Sequence, residues 1–275
     1  MSDSLSERWS QALSVPSDDE LDLALLAVLI AQGEYPDLGL ETTLATFDKL
    51  AEAVMQGGGE LTDLQRVLFV ELQFRGNQDT YYAVSNSYIN DVLRLRVGIP
   101  ITLCLVLMEV GKRCGQELKP VSFPGHFLAR AENSDGSCQF IDAFHSGVTQ
   151  DEPTLVARLK QLTGKTDLPE AFVTSAFTPC SRREVVARML RNLKQIYIQS
   201  RDWPRALRVT DQLLHVQPAQ SEHYRDRGQL YAQIGHTSAA HADMSRYLQM
   251  ISDVREKERV RDMLQTLAPR TQPLN

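Results

Sequence analysis

No stretch of this sequence is apolar for long enough to cross a bilayer. The longest apolar run, Leu23 to Ala31, is about half of what a membrane helix needs. Ser17, Asp18, Asp19 and Glu20 precede it, where a secretion signal would carry basic residues. Neither a membrane span nor a secretion signal is therefore expected. Cysteine is scarce: Cys104, Cys114, Cys138 and Cys180 lie far apart, and none falls in a CxxC pair. That spacing indicates neither a zinc ribbon nor a disulfide framework, so reduced thiols in a cytoplasmic protein are the expectation. An excess of basic residues is missing as well, with 29 Lys and Arg against 35 Asp and Glu, a net charge of −6. Such a chain has no general attraction for nucleic acid or anionic membrane, because phosphate binding needs a concentrated basic surface.

Motifs for cofactors are also wanting. Gly164-Lys165-Thr166 imitates the end of a phosphate loop, but Leu159 stands where the first glycine must be. His215, His223, His236 and His241 do not match one another's positions, and the gap of five between His236 and His241 is wrong for one helix face. No metal and no cofactor are expected.

What is present is an ordinary globular composition, 43% hydrophobic over 275 residues, enough for one large or two modest domains. Helical periodicity predicts Ser17 to Gln32, with Ser17 as N-cap, Leu40 to Gln56, stopped by Gly57-Gly58-Gly59, and Leu61 to Phe74. Ser87 to Leu95 and the very apolar Pro100 to Cys114 follow. Then the period shortens: Leu118 to Phe123, His126 to Ala131 and Gln139 to Ala143 fit strands, and Glu132 to Ser137 carries hairpin-turn chemistry. Helices followed by a small antiparallel sheet argue for an α+β fold. The expected organisation is a helical N-terminal part of the core over 1–78, the core proper over 79–150, a connector over 151–180 with a short helix at Pro153 to Leu162, and helical repeats over 181–268.

The repeats are read from spacing. Leu190 answers to Tyr224, Tyr197 to Tyr231 and Ala206 to Ala240, each pair 34 apart, with Gly228 and Gly235 at small-residue positions and Pro218 closing the first copy. That period marks tetratricopeptide repeats, in which small residues let paired helices approach. The first copy departs from the pattern with Lys194 and Arg201 at the small positions. Val254 to Leu267 is expected to cap the array. The alternative is an ordinary helical-hairpin bundle.

Four segments carry a family resemblance: Asn86-Ser-Tyr-Ile-Asn90, Arg96-Val-Gly-Ile-Pro-Ile101, Phe123-Pro-Gly-His-Phe127 and Phe140-Ile-Asp-Ala-Phe-His-Ser-Gly147. They resemble the second class of transglutaminase-like cores, which in bacteria is fused to tetratricopeptide repeats in the SirB family. The resemblance implies a papain-like core with a cysteine at a helix N-terminus, a histidine on the next strand and an aspartate on the one after. A positive helix end and a neighbouring imidazolium stabilise a thiolate, and the acid holds the imidazole. His126 and Asp142 match the two later positions, and a turn centred near Ser134 makes them cross-strand neighbours, subject to a one-residue slip. Pro100 stands at the position of the nucleophile. Cys104 lies one turn further, about 6 Å along the axis.

Two functions remain open on these residues. In the first, a non-enzymatic interaction or regulatory protein binds another protein or peptide through its core cleft and repeats. Its cleft would be lined by Pro100, Phe123, Gly125 and His145, with Arg94 and Arg96 either nearby or merely solvated, and Tyr224, Arg225, Arg227 and Tyr231 would meet the partner. In the second, Cys104, His126 and Asp142 serve a peptidase, amidase or acyltransferase. Cys104 sits among Leu103, Leu105, Val106 and Leu107, the setting of a small buried hydrophobe. His126 with Asp142 is also readable as a structural pair.

Overall fold

The computed structural model describes residues 4–133 and 135–267. Ser134, the expected centre of the hairpin turn, and the outermost ends of the first and last expected segments, residues 1–3 and 268, lie outside the described residues. The chain divides into two compact units, Met1–Met189 and Leu190–Asn275.

The first unit is α+β. Its elements are α1 (Leu5–Leu13), α2 (Leu23–Gln32), α3 (Leu40–Met55), α4 (Leu61–Gln65), β1 (Arg75–Gly76), α5 (Ile89–Leu95), β2 (Val97–Gly98) and α6 (Pro100–Arg113). There follow β3 (Lys119–Val121), β4 (Leu128–Glu132), β5 (Cys138–Asp142), β6 (Val148–Gln150), α7 (Glu152–Thr163), α8 (Glu170–Phe177) and the first half of α9 (Arg182–Gln199). A helix that is apolar all round belongs in a core. Accordingly α2 buries every residue but Leu25, and α6 is buried without a break from Pro100 to Gly111. Pro100 occupies the first turn of α6, where a missing N–H costs nothing. The Thr102 hydroxyl ties that turn to the Asn86 carbonyl at 2.8 Å.

Several boundaries differ from those expected, for local reasons. α2 is capped by Asp22, whose Oδ1 accepts from Leu25 N at 2.9 Å, and not by Ser17. The upstream acidic run is needed elsewhere: Asp18 accepts from the backbone N–H groups of Arg182 and Arg183, capping α9 from another part of the chain. The helix expected over Leu61 to Phe74 widens into a π-turn at Arg66–Glu71 and ends there. α1, β6 and α8 had no separate expectation.

The four-stranded sheet runs β3-β4-β5-β6, antiparallel throughout. β4 begins at Leu128 because Phe123-Pro-Gly-His forms a turn closed by His126 N–H to the Phe123 carbonyl at 2.9 Å, with Gly125 at φ 68°. Proline second and glycine third is the pattern of a type II turn. Val121, Leu128 and Phe140 pack with Leu155 and Leu159 of α7 and Phe177 of α8. The segment read as a connector thus supplies the layer that covers one sheet face.

The second unit continues α9 into α10 (Trp203–Val216), α11 (Ser221–Gln233), α12 (Thr237–Met250) and α13 (Val254–Leu267). α11 and α12 pack closely: a Cβ on Gly228 would meet Met244 at 3.0 Å. α13 lays Val260 and Leu264 against Met244 and Tyr247 of α12, covering the end of the array.

The loop from β5 to β6 depends on Gly147, which sits at φ 72° and donates its N–H to the Asp142 carbonyl at 2.9 Å. A side chain there would run into the Phe69 ring. Gly147→Ala should therefore lower unfolding free energy by about 2 kcal/mol or more in urea titration, combining backbone strain with overpacking. A loss within the noise of a surface substitution contradicts this account of the loop.

Candidate functional site

The site grows from one buried carboxylate. Asp142, at the end of β5, has no exposed side-chain surface. Its Oδ1 lies 2.8 Å from His126 Nε2 and accepts from His145 N–H at 3.2 Å. Its Oδ2 lies 2.8 Å from His145 Nδ1 and accepts from Gln150 Nε2 at 3.2 Å, with Arg158 of α7 at 3.8 Å. An ionised carboxylate only accepts, so His126 donates from Nε2 and His145 from Nδ1. Burial alone would raise the Asp142 pKa. Hydrogen bonds and charge from His126, then His145, outweigh burial and hold the carboxyl at about 2.

The strand register corrects how the pair meets. Ala129 pairs with Ile141, two residues later than a turn centred on Ser134 implies, because the pairing centres on Asp135. Leu128 consequently faces Asp142, and His126 lies two residues further along the same side, in the turn before β4 rather than on a strand. Its carbonyl is held by Arg188 of α9 at 2.7 Å, and the Arg188 guanidinium stacks over Phe127 at 5.2 Å. The ring of Phe144 stands edge-on to both imidazoles, with centroids at 6.1 and 5.2 Å, and half-exposed Tyr81 continues the aromatic wall.

Cys104 is fully buried, and its thiol lies 3.5 Å from the Phe127 carbonyl, which accepts from it. Burial, reinforced by the charge of Asp142, pushes the thiol pKa well up. Pro100, also buried, begins α6 and offers neither a nucleophile nor an N–H.

The other expected site residues fare unevenly. His145, with 45% of its side chain exposed, joins the constellation directly. Gly125 forms the exposed turn before His126. Phe123 does not line a cleft: it is buried among Phe140 and Phe177, with ring centroids at 6.1 Å from Phe177. Arg94 pairs with Asp91 and Arg96 donates to the Leu72 carbonyl, both on exposed surface. In the second unit, Tyr224 packs beside Tyr247, Arg225 pairs with Asp226, and Tyr231 stacks on His236. Arg227 forks onto both oxygens of Asp243 at 2.7 Å and reaches Asp211 at 2.8 Å. These four were expected to meet a partner; the structure engages them within the repeats, Arg227 with carboxylates of α10 and α12 and Arg225 with its chain neighbour Asp226 on α11. Arg158, Arg188 and Gln150 were not anticipated. They come from α7, α9 and β6, and no local motif marks them.

His126, Asp142 and His145 offer ligand atoms within 4.8 Å of one another, a set that could hold a divalent cation. Binding one would require Asp142 to release hydrogen bonds that its two oxygens already accept.

A buried histidine–aspartate pair beside an apolar helix, with a helical-repeat unit following, defines a transglutaminase-like protein with tetratricopeptide repeats. The pattern of the Transglutaminase-like superfamily matches residues 39–191, and that of the tetratricopeptide repeat matches residues 193–265. The chain belongs to this superfamily, and within it to the SirB family. A UPF0162 protein of Xylella fastidiosa (strain 9a5c) is 35% identical over 267 residues, 94% of each chain. Protein SirB1 of Salmonella typhimurium is 28% identical over 209 residues, 76% of each chain. F-box only protein 21 of Mus musculus is 38% identical over 94 residues, 32% of this chain and 15% of that protein. No solved structure matches the chain significantly.

Two measurements address the site. Because the Asp142 pKa is depressed, its contribution to stability is present above about pH 4 and disappears as pH falls towards 2, an amount of about 2 kcal/mol. The stability advantage of wild type over Asp142→Asn should shrink across that window in urea titrations. A constant difference contradicts the assignment. In a double-mutant cycle, His126→Ala and Asp142→Ala should couple by about 1–3 kcal/mol, since either change alone strands a buried partner; additive effects would show that the pair carries no shared energy.

Proposed function

We propose that this chain is a non-enzymatic regulatory or scaffolding protein of the cytoplasm, in which a degenerate transglutaminase-like core and a repeat unit bind another protein. The observation that carries this reading is the combination at α6. Proline stands at the helix start, where the family pattern has its nucleophile, and the nearest thiol is buried against a backbone carbonyl with its ionisation suppressed. A buried, protonated thiol is a poor nucleophile. The retained His126–Asp142 pair then serves to order the turn before β4 and the end of β5. The repeats favour a protein or peptide partner, and the acidic balance of the chain argues against nucleic acid and membrane surfaces. In domain terms the proposal keeps a core over 1–150, a connecting layer over 151–180 and repeats over 181–268.

A cysteine peptidase, amidase or acyltransferase using Cys104, His126 and Asp142 is the second reading, favoured by the intact imidazole–carboxylate pair at 2.8 Å. Iodoacetamide labelling of native protein, mapped cysteine by cysteine by mass spectrometry, separates the two. Cys104 should stay unmodified until the protein is denatured. Rapid labelling of Cys104 that rises with pH and is lost in His126→Ala would establish the thiol enzyme instead.

A further inference from the structure

The first repeat departs from the small residues of the second at two positions, and both departures lie on one groove. The second repeat has Gly228, packed on Met244, and Gly235, in the left-handed conformation at φ 78°. Thirty-four residues earlier the first repeat has Lys194 and Arg201. Arg201 keeps the left-handed conformation, φ 58°, which burdens any residue bearing a Cβ and leaves glycine free. A strained residue retained where its counterpart is glycine points to a task for the side chain.

The groove has a volume of about 830 Å³ and lies wholly within the second unit. Arg191, Lys194, Gln195 and Ile198 line it from α9, and Asp226, Gln229, Leu230 and Gln233 from α11. Each set follows the i, i+3, i+4, i+7 spacing of a single helix face. Arg201 joins it from the turn between α9 and α10, and Trp203 from the start of α10. Three of the lining residues are cationic, and Asp226 is the one carboxylate among the described lining residues. Asp226 is met by Arg225 as well as Lys194. Lys194 can therefore turn to a ligand without leaving that carboxylate alone. The groove keeps an excess of positive charge in a chain whose net charge is −6.

We propose that this groove binds an acidic peptide segment. Carboxylates of the segment meet Lys194 and Arg201, and a large apolar side chain rests on Ile198, Trp203 and Leu230. The proposal deepens the reading of the repeats as a partner-binding unit and rests on it. A peptide is favoured over nucleic acid because the groove offers isolated cations between apolar and amide side chains, without the continuous basic track that a phosphate backbone follows.

The test selects short random peptides on the full-length protein by phage display and measures the strongest as a labelled synthetic peptide by fluorescence anisotropy. Selected peptides should be rich in Asp and Glu around one large apolar residue. Affinity should fall about tenfold with Arg201→Gly combined with Lys194→Ala, and comparably when the peptide's acids become amides. Arg201→Gly copies Gly235, so the melting temperature of that variant should be unchanged or higher, which separates lost binding from lost folding. Acidic peptides that bind the variant as tightly as wild type overturn the proposal, as does displacement by a single-stranded oligonucleotide of about 20 nucleotides at lower concentration than the peptide itself. Neutral or basic peptides whose binding is lost in Trp203→Ala would leave the repeats as a partner surface and remove the acidic chemistry. Failure to select any peptide that responds to Trp203→Ala removes both.

Discussion

A carboxylate taken out of water must be met by donors on every side, and Asp142 imposes that requirement on the core. Its partners come from the turn before β4, the turn after β5, β6 and α7, so four segments converge on one residue. An unmet buried charge would cost more than any one contact here contributes. The convergence accounts for the tight β5–β6 connection, the left-handed Ser146 and Gly147 in it, and the placement of α7 over the sheet. In an active thiol enzyme the same arrangement would hold an imidazole ready to accept a proton. Here α6 begins with Pro100, which carries no nucleophile.

The surroundings of α6 do not favour a reactive thiolate. A reactive thiolate needs a helix N-terminus with free N–H groups, partial exposure and a neighbouring cation. Pro100 removes one N–H, the surrounding residues are buried, and Cys104 stands a turn inside the helix with its thiol donated to Phe127. Each of these features works against ionisation of a thiol at this corner.

Within the repeat unit, charge is divided between two tasks. Arg227 is tied to Asp211 of α10 and Asp243 of α12 and holds those helices to α11, while Arg225 pairs with its neighbour Asp226 on α11 itself. Lys194 and Arg201 replace small residues of the repeat pattern and face a groove, and the one carboxylate Lys194 meets there, Asp226, is shared with Arg225. The distinction matters because an arginine locked into a bidentate pair is not available to a ligand without breaking that pair.

The sequence by itself determined the class of fold, the order of core and repeats, and the pairing of His126 with Asp142. Those features follow from periodicity, from glycine and proline at turns, and from short motifs, all carried by neighbours in the chain. The capping of α9 by Asp18, the strand offset that moves His126 off the sheet, the burial of Phe123, and the arrival of Arg158 and Arg188 were decided by tertiary structure. So was the pairing of Arg227 with Asp211 and Asp243. Each joins segments distant in the chain or turns on which face of an element is covered, and a side chain's partner across such a distance depends on packing that local residue patterns do not encode.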